Sequence, residues 1–160
     1  YAIKGRDSRK ALPILVHSLK EARQWVEWNK AAQRLAHEFW PGPLTMILNP
    51  TAQGESLLTY GLTLGIRMPA HPFTLKLLKA SKSPWATTSA NFSGQREECE
   101  ADSVIKLFDG HVDYIVTSGT LPGTVSTVVD ATKIPLRILR EGAVKREDLK
   151  QCIPENLWLS

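Results

Sequence analysis

Four basic residues stand where this sequence changes conformation, and they carry side chains suited to gripping anionic groups. "KGR" sets Lys4 and Arg6 two positions apart, so in an extended segment both point to one face. "GIRMPAHP" puts Arg67 at a strand end, just before Pro69 and a helix opening near His71. "ILREGA" puts Arg140 at another strand end, before Gly142. Each alone reads as readily as a solvated surface charge. Three placements at element ends beside Gly or Pro suggest a shared anionic ligand.

Small polar residues form the second candidate group. In "PWATTSANFSG" a short strand-like run is followed by Ser89, Ala90, Asn91, Phe92, Ser93 and Gly94. Such side chains make turns by hydrogen-bonding nearby backbone. They also leave room for a ligand. "GTVSTVVD" adds Ser126 and Thr127, ordinary strand residues whose hydroxyls could also reach phosphate or ribose.

Several chemistries lack their signatures. Neither GxxxxGKS/T nor GxGxxG occurs, so a nucleotide would need side-chain cations in place of a glycine-rich cradle. "HEFW" at His37 has no second histidine at helical spacing, and Cys99 and Cys152 form no CxxC, so no metal site is expected. Ser89 lacks a GxSxG elbow, and His17 and His71 read first as structural residues at element ends.

The elements that must position these residues alternate in type. "LPILVH" is an apolar strand-like run, followed at Ser18 by an S-x-x-E capping box and a helix expected through Trp25 and Trp28. A second helix starts at Asn29 and stops at "PGP", Pro41 to Pro43. "LTMILN" and "LTLGIRM" read as strands flanking a loop, and a helix opens at His71 with Pro72 in its first turn. Trp85 to Thr88 reads as a strand and Ala101 to Phe108 as a helix. "VDYIVT", "VSTVVD" and "PLRILR" are three more strand candidates, before a short helix over Arg146 to Cys152.

The chain has 160 residues, 42% hydrophobic and 22% charged, with net charge +4, which suits one globular α/β domain with an open, twisted mixed sheet and flanking helices. The charge is too mild to choose among anionic ligands. No apolar run has membrane-span length and no signal-peptide pattern is visible, so no membrane partner and a cytoplasmic location are expected.

Taken in order, "KGR", "FWPGPLT", "GIRMPAHP", "TTSANFSG", "STVVD" and "LREGA" resemble the YrdC/Sua5 family from Tyr1 to about Ala143. The pairing of "WPGPLT" with "TSANFSG" is the specific part. The resemblance implies a YrdC-like fold with a basic concave face and L-threonylcarbamoyladenylate synthase activity. Such an enzyme makes threonylcarbamoyl-AMP and pyrophosphate from L-threonine, bicarbonate or CO2, and ATP. Mg2+ is bound through the triphosphate, and the product serves threonylcarbamoyl modification of tRNA adenosine. Contact with tRNA and hand-over to a tRNA threonylcarbamoyl transferase machinery are the implied partnerships.

Residue by residue, the resemblance gives Lys4 and Arg6 the role of the family's KxR, contacting the anionic substrates. It gives Ser89 and Asn91 that of its S-x-N, hydrogen-bonding ligand. Arg67 matches the arginine of the RxP segment, and Ser126 and Arg140 match positions associated with the nucleotide. His17 matches a histidine near threonine. Family members carry a strand–helix region before the KxR, with a Pro-Thr-acidic-Ser/Thr-x-aromatic-Gly motif. Because this sequence begins "YAIKGR", the expectation is a short, single-domain form over residues 1–160 without that segment, with an unpaired sheet edge left behind. The competing class is a tRNA or double-stranded-RNA-binding module of the same fold without synthase activity, which would show strongly salt-dependent RNA binding. A carbamoyl-adenylate-handling relative from hydrogenase maturation is the third reading.

Overall fold

A computed structural model describes residues 1–117, 120 and 124–159 of the chain. Among these the order is β1 (Ile14–Leu15), α1 (Leu19–Trp25), α2 (Lys30–Phe39), β2 (Leu44–Leu48), β3 (Leu64–Arg67), α3 (Pro72–Ser81), β4 (Trp85–Ala86), α4 (Ala101–Phe108), β5 (Thr127–Asp130), β6 (Arg137–Arg140) and α5 (Arg146–Cys152). Short 3-10 turns lie at Gly54–Leu57 and Glu155–Leu157. The strands form one mixed sheet in the order β4-β1-β3-β2-β5-β6. β1–β3 and β2–β5 run parallel, while β1–β4, β2–β3 and β5–β6 run antiparallel.

The register explains why one sheet face is core and the other is polar. Opposed residues share a face, and successive residues alternate. Ile14 opposes Ile66, Ile66 opposes Met46, Met46 opposes Val129 and Val129 opposes Ile138. This apolar row joins Leu35, Ala36, Leu44, Leu48, Leu136 and Leu149 in the main cluster. Shifted by one residue, Leu15 opposes Arg67, Thr45 opposes Val128 and Val128 opposes Arg140. The polar members of that second row therefore point away from the core.

Helix starts follow local side-chain chemistry. Ser18 Oγ accepts from the Glu21 amide, and Asn29 Oδ1 accepts from the Ala32 amide. The Glu21 carboxylate accepts from the His17 amide at 2.7 Å, so its return bond falls one residue before the cap. α1 stops at Trp25, short of Trp28. Val26 bridges to Pro50 and the Glu27 amide donates to Asn49 O, which pulls the backbone into extended form. Trp28 instead packs edge-on against Trp40, with centroids 5.8 Å apart.

"VDYIVT" is not a strand. Residues 112–117 have no ladder, and Tyr114 is 90% exposed. An alternating apolar run becomes a strand only where an edge of matching register is presented to it, and none pairs with it among the described residues.

Candidate functional site

The polar face of the sheet, with the loops above it, encloses a cleft of about 640 Å³. Leu15, Arg67 and Thr45 line it from β1, β3 and β2; Ser126 comes from the residue just before β5 and Arg140 from the end of β6. Arg6, Ser89, Thr74, Thr87, Thr88 and Glu97 close its sides, with Pro13, Pro69 and Val125 as the remaining apolar wall.

Three arginines, Arg6, Arg67 and Arg140, thus converge on one cavity, and none pairs with a carboxylate among the described residues. Arg67 Nε donates to Gly42 O at 2.9 Å. Burial, and then the nearby Arg140 charge, hold the Arg67 guanidinium below its ordinary value, although it remains charged. Arg140 grips the Ser126 carbonyl oxygen through Nε and Nη2, at 3.1 and 2.8 Å, and its Nη2 reaches Ser126 Oγ at 3.2 Å. The Nε of Arg6 is buried without a partner, and its Nη2 makes only a 3.4 Å bond to Ala11 O. Like charges held together in this way favour an anion between them.

Lys4 and Asn91 stand behind the cleft wall. The Lys4 ammonium donates to the carbonyl oxygens of Ser89 and Asn91 and, at 2.8 Å, to Asn91 Oδ1. Those three bonds use all three of its hydrogens. Burial first and Arg6 second hold it below the ordinary lysine value, with Glu97 acting the other way. Asn91 Oδ1 also accepts from Ser89 Oγ at 2.6 Å, and its Nδ2 donates to Gln95 O at 2.7 Å. The amide therefore serves the loop, and of the S-x-N pair only Ser89 lines the cleft.

His17 lies outside the cleft lining. Its Nδ1 sits 2.6 Å from Glu21 Oε2 without hydrogen-bond geometry, at the mouth of α1. Thr45, Thr74, Thr87, Thr88 and Glu97 line the cleft and were not singled out from the sequence. Thr45 had a signal there as the last residue of "FWPGPLT", and Thr87 and Thr88 as the first two of "TTSANFSG". Among the described residues no group of three or more His, Cys, Asp or Glu could hold a metal ion, and no helix is long and apolar enough to cross a membrane. A second cavity of about 500 Å³ between α2 and α5 includes Cys152, a free thiol pushed up by burial.

A mixed sheet bearing an arginine-lined cleft on its polar face defines an α/β domain with a cationic cleft. The Sua5/YciO/YrdC family model, described as "Telomere recombination", matches residues 1–142, and the chain belongs to that family. A threonylcarbamoyl-AMP synthase of Pyrococcus abyssi is 37% identical over 158 residues, covering 97% of this chain and 46% of that protein. A putative threonylcarbamoyl-AMP synthase of Methanocaldococcus jannaschii is 31% identical over 156 residues, covering 95% of this chain and 72% of the relative. The solved structure of P. abyssi Sua5 complexed with L-threonine superposes with a TM-score of 0.90 at 34% identity, over 96% of this chain and 46% of that one. The chain thus spans about half the length of the P. abyssi relative.

Proposed function

We propose that this chain carries L-threonylcarbamoyladenylate synthase activity, and the carrying observation is the convergence of Arg6, Arg67 and Arg140 on one cleft without a carboxylate partner. The names of the relatives, and the complex of P. abyssi Sua5 with L-threonine, support the choice of reaction.

In the proposed reaction bicarbonate gives up hydroxide to yield CO2, the neutral amine of L-threonine adds to it, and the proton lost on forming the carbamate leaves with that hydroxide as water. A carbamate oxygen then attacks the α-phosphorus of ATP, the bond from that phosphorus to the bridging oxygen of the β-phosphate breaks, and pyrophosphate leaves; Mg2+ bound through the triphosphate would offset its charge. Threonine carboxylate, carbamate and triphosphate repel one another, so the work left for the protein is positioning and charge stabilisation. Arg67 and Arg140, with the Ser126 hydroxyl, hold the nucleotide phosphates. Arg6 and Ser89, on the opposite wall, hold the amino-acid end. Lys4 and Asn91 act from behind by holding the Ser89 loop, and no enzyme nucleophile is required. His17 is not assigned a substrate contact, because it lies against Glu21. The product passes to a cytoplasmic tRNA threonylcarbamoyl transferase machinery. The RNA-binding alternative has no observation of its own, since the cations line a cleft rather than an open stripe.

The test is mass-spectrometric detection of threonylcarbamoyl-AMP from the purified chain with Mg–ATP, bicarbonate and L-threonine, following pyrophosphate and omitting threonine as control. Threonine-dependent product is expected; a folded chain that binds ATP and threonine yet releases neither product overturns the assignment for these 160 residues.

A further inference from the structure

The Trp40–Thr45 turn carries no substrate role in the proposed reaction, yet it is bonded to β3, which supplies Arg67, and to the Ser126–Thr127 segment opening β5, on whose Ser126 carbonyl Arg140 rests. Toward β3, Arg67 Nε donates to Gly42 O at 2.9 Å while the Gly42 amide donates to Met68 O at 2.9 Å. Toward β5, the Thr127 amide donates to Pro43 O at 2.9 Å, and Thr45 Oγ1 lies 3.0 Å from Ser126 Oγ. The turn is itself closed by Trp40 Nε1 donating to Leu44 O at 2.7 Å. A Cβ on Gly42 would meet Phe39 O at 2.2 Å, so only glycine lets the turn pass this close to the end of α2.

Proton counting sharpens the Thr45 side. Arg140 Nη2 can only donate, so Ser126 Oγ accepts from it. Of the two hydroxyls in the Thr45–Ser126 contact, one donates to the other. Whichever donates, one O–H of the pair is left over, and both residues line the cleft while being nine-tenths or more buried. We infer that the Trp40–Thr45 turn is a positioning element that sets Arg67 through Gly42 and Arg140 through Thr45 and Ser126, with Thr45 coupled to Ser126 so that the pair presents a single hydroxyl donor beside Arg140. The inference rests on the reading of the cleft as the nucleotide-phosphate site. Thr45 is thus a positioning residue, and its side chain matters through its neighbour.

The test is a double-mutant cycle read by calorimetric binding of ATP and, separately, of inorganic tripolyphosphate, on the wild-type chain, Thr45→Val, Ser126→Ala and the pair. Thr45→Val is expected to weaken binding about two- to tenfold, the range for one hydrogen bond. Thr45→Ser restores it, and the double variant is no worse than Ser126→Ala alone. Losses that multiply overturn the coupling, as does wild-type affinity in Thr45→Val. Thermal denaturation of each variant separates loss of the site from loss of the fold; a Thr45→Ser chain that folds as wild type but binds like Thr45→Val also overturns the inference. Wild-type protein that binds neither probe overturns the phosphate-site reading and the coupling with it, so the two failures are distinguished by which protein fails.

Discussion

The Lys4 ammonium donates to the side-chain oxygen of Asn91 at 2.8 Å, across 87 positions of sequence, and this bond sets what each residue does when removed. Deleting the Lys4 amine strips a hydrogen bond from Ser89 O, Asn91 O and Asn91 Oδ1 together, in a place where Lys4 is only 9% exposed. Lys4→Ala is expected to cost about 2–4 kcal/mol of stability, since bonds to charged groups count for about 1.5–3 kcal/mol and buried acceptors are left bare. Urea denaturation checks this. A change under about 0.5 kcal/mol, the ordinary surface value, would remove Lys4 from the scaffold.

Arg6 should behave oppositely, although it stands two residues away. Its Nε has no partner and its one hydrogen bond, to Ala11 O, is 3.4 Å long. Arg6→Ala is expected to leave the denaturation midpoint within about 0.5 kcal/mol of wild type while abolishing most synthesis. The pair separates scaffold from site. Equal loss of folding in both variants would mean that Arg6 is structural too.

The lowered Lys4 value also gives a pH signature. Burial, then Arg6, favours the neutral amine in the fold, whereas the unfolded chain keeps its proton to about pH 10.4. Between the two values the unfolded state binds more protons, so stability rises with pH across that window and falls again as pH drops toward the folded value. Relative to Lys4→Met, wild type should gain stability as pH is raised toward the unfolded lysine value of about 10.4. Parallel pH profiles for the two proteins would show that Lys4 titrates as in the unfolded chain.

How much of this was legible in sequence depended on the range of the interaction. Ser18, Asn29 and Pro72 announced their helices because capping is settled within three or four residues. "VDYIVT" misread as a strand because pairing is settled by a distant partner, and the stop of α1 before Trp28 came from contact with Asn49 and Pro50. The cationic residues were visible as types; the convergence of Arg67 and Arg140 follows from the register of β3, β2, β5 and β6, whereas Arg6 comes from the segment before β1. The carbonyl cradle around Lys4 was not legible, since nothing near "KGR" reveals that Ser89 and Asn91 lie around it. Thr45 was visible only as part of "FWPGPLT", without its partner 81 positions away.

Gly142 offers the last prediction, because it connects the backbone to the arginine two residues before it. A Cβ there would meet Val125 O at 2.4 Å and the Ser126 carbonyl at 2.7 and 2.8 Å, all backbone atoms of the segment leading into β5 that anchors Arg140. The Gly142 amide also donates to Thr127 Oγ1 at 2.8 Å, and Thr127 Oγ1 in turn donates to Val144 O at 2.6 Å. Gly142→Ala must therefore push the turn after β6 away from β5 and swing the guanidinium of Arg140 off the Ser126 carbonyl. The expected cost is about 1–3 kcal/mol of stability, typical of forced overpacking, with ATP affinity reduced at least as much as in Arg140→Gln. Denaturation and calorimetric titration on the same samples check both parts. Wild-type ATP affinity in a destabilised Gly142→Ala chain would show that Arg140 finds its place independently of this turn.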